Sequence, residues 1–241
     1  MGLMMVFLQN ELNVETEESK QLADKRVFLP LLSVKLSDNH SAQRNKVEAY
    51  ISNQFYKNHQ AVVNSFLPFL LSAETTKNIT SAIGFRLADS EQALFLEQYM
   101  DAGADTVIGQ LLNSHVARNK VAEIGNLTSS YPGSSQMLFV LIVSILHKLD
   151  IEWALFTATD QVQSMIAALN IDCIEICEAQ AAQLADSADC WGSYYSNKPK
   201  VITGNIAKAY QALCKHPVAG FMLQHYQLTI DQIVNDVRSV K

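Results

Sequence analysis

One run, Val121 to Leu149 (VAEIGNLTSSYPGSSQMLFVLIVSILHKL), constrains the fold of this chain more than any other. An apolar segment over Val121–Leu127 is broken by a turn of small residues, and a long apolar block follows. Pro132 and Gly133, set among serines that can cap, end the strand and open a helix over Ser135–Leu149. A β-rich run, Ile151–Thr157, comes next, then a helix over Asp160–Leu169 opened by a capping Asp160 and a strand over Ile171–Ile176. Strand, helix, strand, helix, strand requires crossover connections and an at least partly parallel sheet. The same order leaves free backbone N–H groups at the helix start, where an anionic ligand can be held.

Elsewhere the pattern predicts a first strand over Val27–Leu36 with an edge proline, Pro30, and an amphipathic helix over Ser41–His59 with Ser41 in its cap. Phe66–Ala73 and Ile79–Leu87 flank the polar stretch 74–78 as a hairpin, and Leu94–Tyr99 alternates like a strand. Helices are expected over Asp105–Asn113, the Ala-rich Ala179–Ala188, Ile206–Lys215 and Thr229–Val240, with strand or turn pieces at Trp191–Tyr195 and Lys200–Thr203. No repeat or Pro/Gly-rich linker divides the chain. The expectation is one α/β domain over residues 27–206, an acidic tail over 1–26 and a helical extension over 207–241, whose Phe221, Met222, Tyr226 and Ile230 could mediate self-association into a homo-oligomer.

At 241 residues and 49% hydrophobic the chain can bury a substantial core, and a net charge of −6 disfavours binding nucleic acid or anionic lipid through a general positive field. Four cysteines without CxxC spacing make neither a disulfide scaffold nor a metal knot, and Cys173 and Cys177 read as core residues. Six scattered histidines suggest no metal site, and His147 reads as a favourable cation at a helix end. The first residues, MGLMMVFLQNELNVETEE, lack a positive n-region, so no secretory signal is expected and a cytoplasmic location is. Met137–Leu146 falls short of the roughly 20 residues that a spanning helix needs.

Six blocks follow one another over about residues 44–206: RNKVEAYISNQF, VVNSFLPFLLSA, AIGFRLADSEQALFLEQYMD, VAEIGNLTS, WALFTAT and WGSYYSNKPKVITGNI. In this order they resemble the bacterial thermostable hemolysin family. That family looks related to the GNAT acyltransferase superfamily, which implies a GNAT-like mixed sheet flanked by helices. The implied activity is acyl transfer from acyl-CoA, or from an acyl-carrier thioester, to a small amine or alcohol. The family name implies an alternative, a membrane-damaging toxin acting on red cells, and a catalytically inactive binding module is a third reading. The resemblance puts the pyrophosphate of coenzyme A at Leu127, Thr128, Ser129, Ser130, Tyr131, Pro132, Gly133, Ser134 and Ser135, with Thr159 beside them. The superfamily's loop starts with Gln or Arg and ends Gly-x-Gly or Gly-x-Ala, whereas Ser130 and Gly133-Ser134-Ser135 stand here. Acyl-homoserine-lactone synthases are a fainter likeness. They carry Glu-x-x-Arg where this chain has Glu123-Ile124-Gly125-Asn126, so S-adenosylmethionine is the less expected ligand.

Glu123, in an apolar strand beside the loop, is the candidate general base, because burial raises a carboxyl pKa; a structural pairing with Arg86 or Arg118 would also explain it. Arg86 and Glu97 read as an ion pair across neighbouring strands or as substrate ligands, with Asn126 and Trp191 as further substrate contacts. Tyr194 and Tyr195 are candidate acids for a thiolate leaving group, with packing on Trp191 as the plainer role.

Overall fold

The computed structural model describes residues 32–184 and 188–240. One compact unit, Val34–Lys241, carries the fold; the preceding unit, Met1–Ser33, contributes only Leu32 and Ser33 to the described residues. The expected acidic tail and Val27–Leu31 therefore lie outside the described residues.

Among the described residues seven strands form one sheet: β1 (Ser33–Ser37), β2 (Phe69–Glu74), β3 (Ile79–Leu87), β4 (Val121–Ser129), β5 (Trp153–Ala158), β6 (Ile174–Glu178) and β7 (Lys200–Asn205). Their spatial order is β1-β2-β3-β4-β5-β7-β6. The β2–β3 hairpin forms as its polar turn requires, with Thr75 Oγ1 accepting from the N–H groups of Lys77 and Asn78. β4 and β5 pair in parallel, and the helix between them, α3 (Ser134–Lys148), is the crossover. The sheet is thus mixed, as the alternating pattern predicts.

α3 is buried at Ser134 and without a break from Met137 through Leu146. One side lies on β2, β3 and β4, and the other is covered by α5 (Ile206–Lys215), α6 (Pro217–His225) and α7 (Gln227–Val240). Two covered sides explain an apolar block with no polar stripe. Among the described residues no helix is long and apolar enough to cross a membrane. Met222, Tyr226 and Ile230, read from sequence as surface for self-association, are buried in this layer instead. α6 falls within the helical extension expected over 207–241, which gave it no bounds of its own, although Pro217 at its first turn and the His216 Nδ1 that accepts from Ala219 N are recognisable start signals.

The opposite face holds α1 (Arg44–His59) over β2, β3 and β4, and a second layer built from α2 (Ala104–Leu112) and several 3₁₀ turns. Ser41 does not cap α1; its hydroxyl is committed to Asp38, and Gln43 occupies the cap position without a side-chain bond. Leu94–Tyr99 is a correction: Phe95–Tyr99 is a 3₁₀ turn, not a strand. Carboxylates take the N–H groups at its start, Glu97 that of Leu94 and Glu123 those of Phe95 and Leu96, so these three are not offered to a sheet neighbour.

The Ala-rich segment 179–188 also departs from helix. Ala179 N donates to the Pro199 carbonyl, Ala179 and Leu184 are buried in the core of this face, and a single turn, Ala181–Gln183, is what remains; residues 185–187 lie outside the described ones. Of the expected strand or turn pieces, Lys200–Thr203 is strand, within β7, and Trp191–Tyr195 is turn: two turns, Ala188–Trp191 and Tyr194–Asn197, are joined through Gly192 at φ +51°. This strap is pinned to the end of α1. Val62 N donates to the Cys190 carbonyl at 2.6 Å and Ser193 N to the His59 carbonyl at 2.8 Å.

A Cβ on Gly192 would stand 2.0 Å from the His59 carbonyl oxygen, in a left-handed conformation that side chains disfavour. Gly192→Ala is expected to cost about 3 kcal/mol through strain and a displaced strap, measured by urea denaturation. Loss of the near-ultraviolet circular dichroism contributed by Trp191 and its aromatic neighbours should accompany it.

Candidate functional site

The parallel pairing of β4 and β5 is short. It runs from Val121 opposite Trp153 to Ile124 opposite Phe156, after which β4 continues to Ser129 without β5 beside it. The register with β3 also jumps there, from Gly84–Gly125 to Ala82–Thr128, which leaves Asn126 and Leu127 in a bulge with Asn126 at φ +51°. Asn126 Oδ1 accepts from Leu67 N at 2.9 Å, and the buried Arg44 guanidinium donates to the carbonyls of Leu67 and Pro68. The bulge is thereby tied to the segment that enters β2. Around the opening lies a cleft of about 1510 Å³, which reaches both faces of the sheet.

At the α3 end, Leu127, Thr128, Ser129, Gly133, Ser135 and Thr159 line the cleft together with Gln136 and Gln161. Gly133, at φ +80°, reverses the chain so that α3 begins at Ser134. Among the described residues no acceptor is found for the N–H groups of Gly133, Ser135 and Gln136, the donors that an anion would meet. The remaining expected loop residues do not line the cleft. Ser130 is bonded to the Tyr50 hydroxyl, the buried Ser134 hydroxyl is bonded within the loop to Ser129 and to the Tyr131 carbonyl, and Tyr131 is exposed. Behind the split, Phe139 of α3 meets Phe156 of β5 edge-on at 5.6 Å. Val162 and Met165 of α4 (Asp160–Ala168) extend this apolar wall.

At the opposite end stands Glu123, 2% exposed, with Oε2 accepting from Phe95 N and Oε1 from Leu96 N, each at 3.0 Å. Burial pushes this carboxyl up to about 7, against the pull of the two N–H donors and of Arg86. Glu97 corrects the expected pair with Arg86. It lies outside the cleft and is held by Arg118, whose guanidinium also reaches Asp105, while Glu97 accepts from Leu94 N and Ala104 N. Burial raises Glu97, but these bonds outweigh it and keep the carboxyl below its usual value. The pair fixes the 3₁₀ turn that in turn fixes Glu123.

Trp191, Tyr194 and Tyr195 form the cleft wall with Phe55, His59, Phe95 and Tyr99. Trp191 sits 5.5 Å from Tyr194 and 5.9 Å from Tyr195, ring centre to ring centre. Tyr194 shares a hydrogen bond with Thr157 at 3.1 Å, and the Tyr195 and Tyr99 hydroxyls are bonded to one another. Burial raises all three phenols, Tyr195 to about 12, so they remain protonated at neutral pH. The expected packing of Tyr194 and Tyr195 on Trp191 and their access to the cleft therefore coexist. Phe55, His59 and Tyr99 were missed because they come from distant segments; the one available signal was that each sits in a block shared with the resembled family or next to one.

Among the described residues no group of three or more His, Cys, Asp or Glu could hold a metal ion. Cys173 and Cys177 are half-buried free thiols rather than full core residues, and His147 stacks on Tyr210 at 4.2 Å.

The chain matches the family model described as Thermostable hemolysin over residues 37–210. No curated protein matches it by sequence. Among solved structures it is similar to FeeM, an N-acyl amino acid synthase from uncultured soil microbes, with 9% identity, a TM-score of 0.50, and 78% of this chain and 99% of that chain covered. It is also similar to the AHL synthase LasI, with 11% identity, a TM-score of 0.49 and 75% and 93% covered. A third is BjaI, a CoA-dependent acyl-homoserine lactone synthase solved with SAM and isopentyl-CoA, with 8% identity, a TM-score of 0.49 and 76% and 88% covered. At 9% identity the likeness to FeeM shows the fold alone, and the mixed sheet flanked by helices is the one expected from the sequence.

The raised pKa of Glu123 makes a prediction about stability. Between about pH 4.5, where an unfolded glutamate ionises, and about 7, the folded chain holds a proton that the unfolded chain has lost. Stability should therefore fall as pH rises through that window, by about 3 kcal/mol from this group. Urea denaturation from pH 4 to 8 should show that Glu123→Gln flattens this slope, whatever its effect at a single pH.

Proposed function

This chain belongs to the thermostable hemolysin family, and from that premise we propose that it transfers an acyl group from a small-molecule thioester, acyl-CoA or an acyl-carrier thioester, to a small amine or alcohol. The observation that carries the reading is the split between β4 and β5. It sets unpaired N–H donors at the start of α3 on one side and a buried carboxyl near neutrality on the other, within one cleft.

The N–H groups of Gly133, Ser135 and Gln136, at the positive end of α3, fit the phosphates of coenzyme A. The chain has no Gln or Arg at the loop start, so backbone donors and the helix end carry this contact. The apolar wall of Phe139, Phe156, Val162 and Met165 suits the uncharged arm that links phosphate to sulfur. Glu123, half ionised near pH 7, accepts the acceptor's proton. Tyr195, which stays protonated, is the candidate donor to the leaving thiolate. FeeM, of similar fold and named as an N-acyl amino acid synthase, is consistent with that assignment of the cleft.

Haemolysis, which the family description names, then follows from chemistry rather than from a pore. An acyl chain joined to a small polar acceptor is a single-chain amphiphile that partitions into membranes. Lysis of red cells by purified protein should accordingly depend on added thioester and acceptor. Lysis by the protein alone, undiminished in Glu123→Gln, would instead support direct membrane damage.

A long-chain acyl-CoA at about 100 times its dissociation constant is expected to raise the melting temperature by about 5–10 °C, and an acyl-carrier thioester tested in parallel tells the two donors apart. Ser135→Glu supplies the decisive control. A carboxylate in the first turn of α3 favours the helix dipole, so the fold is kept, while it repels a phosphate and should abolish the shift.

A further inference from the structure

Arg86 and Glu123 are register partners on antiparallel β3 and β4, so their side chains leave the same face of the sheet, and both line the cleft. Although Arg86 is near enough to act on the Glu123 carboxyl through space, among the described residues the two form no ion pair or hydrogen bond with one another. Both Glu123 oxygens accept backbone N–H groups, of Phe95 and Leu96, and among the described residues Arg86 forms no ion pair; its hydrogen bond is a long one, 3.4 Å to the Ala93 carbonyl. A guanidinium with most of its fork unused at a cleft wall is suited to a carboxylate held by two parallel bonds. A carboxylate beside it, with one lone pair per oxygen still free, is suited to an ammonium.

Resting on the acyl-transfer reading above, we propose that the acceptor is a free amino acid, whose carboxylate is held by Arg86 and whose amino group is held and deprotonated by Glu123. A zwitterion brings one opposite charge to each residue and leaves neither uncompensated. A plain amine satisfies Glu123 alone, and an amino alcohol does no better. In the reaction one ammonium proton passes to Glu123 and the freed nitrogen lone pair bonds to the thioester carbonyl carbon. The carbon–sulfur bond breaks with its electron pair leaving on sulfur, and the second proton lost by nitrogen ends on that thiolate, giving an amide and a thiol. Phe95, Trp191 and Tyr195 wall the same end of the cleft, which favours amino acids with apolar side chains.

The test uses the full chain with dodecanoyl-CoA. Leucine and phenylalanine are compared with their decarboxylated counterparts, isoamylamine and phenethylamine, and amide products are followed by mass spectrometry. Wild type is expected to prefer the amino acids by about 100-fold in kcat/KM, because an acceptor lacking the carboxylate leaves a polar group of the site unmatched. Arg86→Gln should erase most of that preference by lowering the amino-acid rate far more than the amine rate. Calorimetry of leucine binding without any thioester separates this inference from the one beneath it. Leucine binding that Arg86→Gln abolishes, in a protein that binds no acyl-CoA, upholds the pair and overturns acyl transfer. Equal acylation of amines and amino acids, or acyl-CoA binding with no leucine bound or acylated, overturns the pair and leaves acyl transfer standing.

Discussion

The point at which β4 leaves β5 governs everything on the functional side of this molecule. Two parallel strands that paired along their full length would close the sheet and bury their facing edges. Here the pairing stops at Ile124 and Phe156, and the β4 edge beyond it lies open to the cleft. The arrangement is held from outside the pair. Asn126 sits in a left-handed conformation within a bulge, its amide oxygen receives Leu67 N, and Arg44 grips the carbonyls of Leu67 and Pro68. A helix on one face thus fixes an irregularity in the sheet, and the irregularity keeps the cleft open.

A second dependence runs through carboxylates that take the place of strands. The turn at Phe95–Tyr99 has no sheet partner; Glu123 holds its start and Glu97 holds its frame, with Arg118 neutralising Glu97. The two acids end in opposite states for a physical reason. Glu97 has a guanidinium against it and stays ionised, whereas Glu123 is buried without a paired cation and drifts towards neutrality. Architecture and reactivity share one side chain here, since the group that anchors the turn is also the titratable group at the cleft.

Much of this was legible beforehand, and the misses have a common cause. The β2–β3 hairpin, the strand–loop–helix at Val121–Leu149 and α5 announce themselves through local turn chemistry and periodicity, which act over a few residues. Leu94–Tyr99 alternates like a strand, and Ala179–Ala188 has the composition of a helix, yet both fold otherwise through groups distant in sequence: Glu123 takes the Phe95 and Leu96 N–H groups, and Ala179 and Leu184 are drawn into the core of one face. Of the candidate site, Glu123, Arg86, Asn126, Trp191 and both tyrosines do meet at one cleft, while Glu97 supports it from behind.

By itself, the sequence determined an α/β fold with a parallel crossover and a helix start poised for an anion, because strand and helix periods, turn residues and helix caps are local properties. Only the tertiary structure decided which groups face one another. Register placed Arg86 opposite Glu123, burial raised the one carboxyl and ion pairing lowered the other, and a strap turned at Gly192 against the His59 carbonyl walled the cleft with aromatic rings. Each of these depends on distances between residues far apart in the chain, which no local pattern encodes.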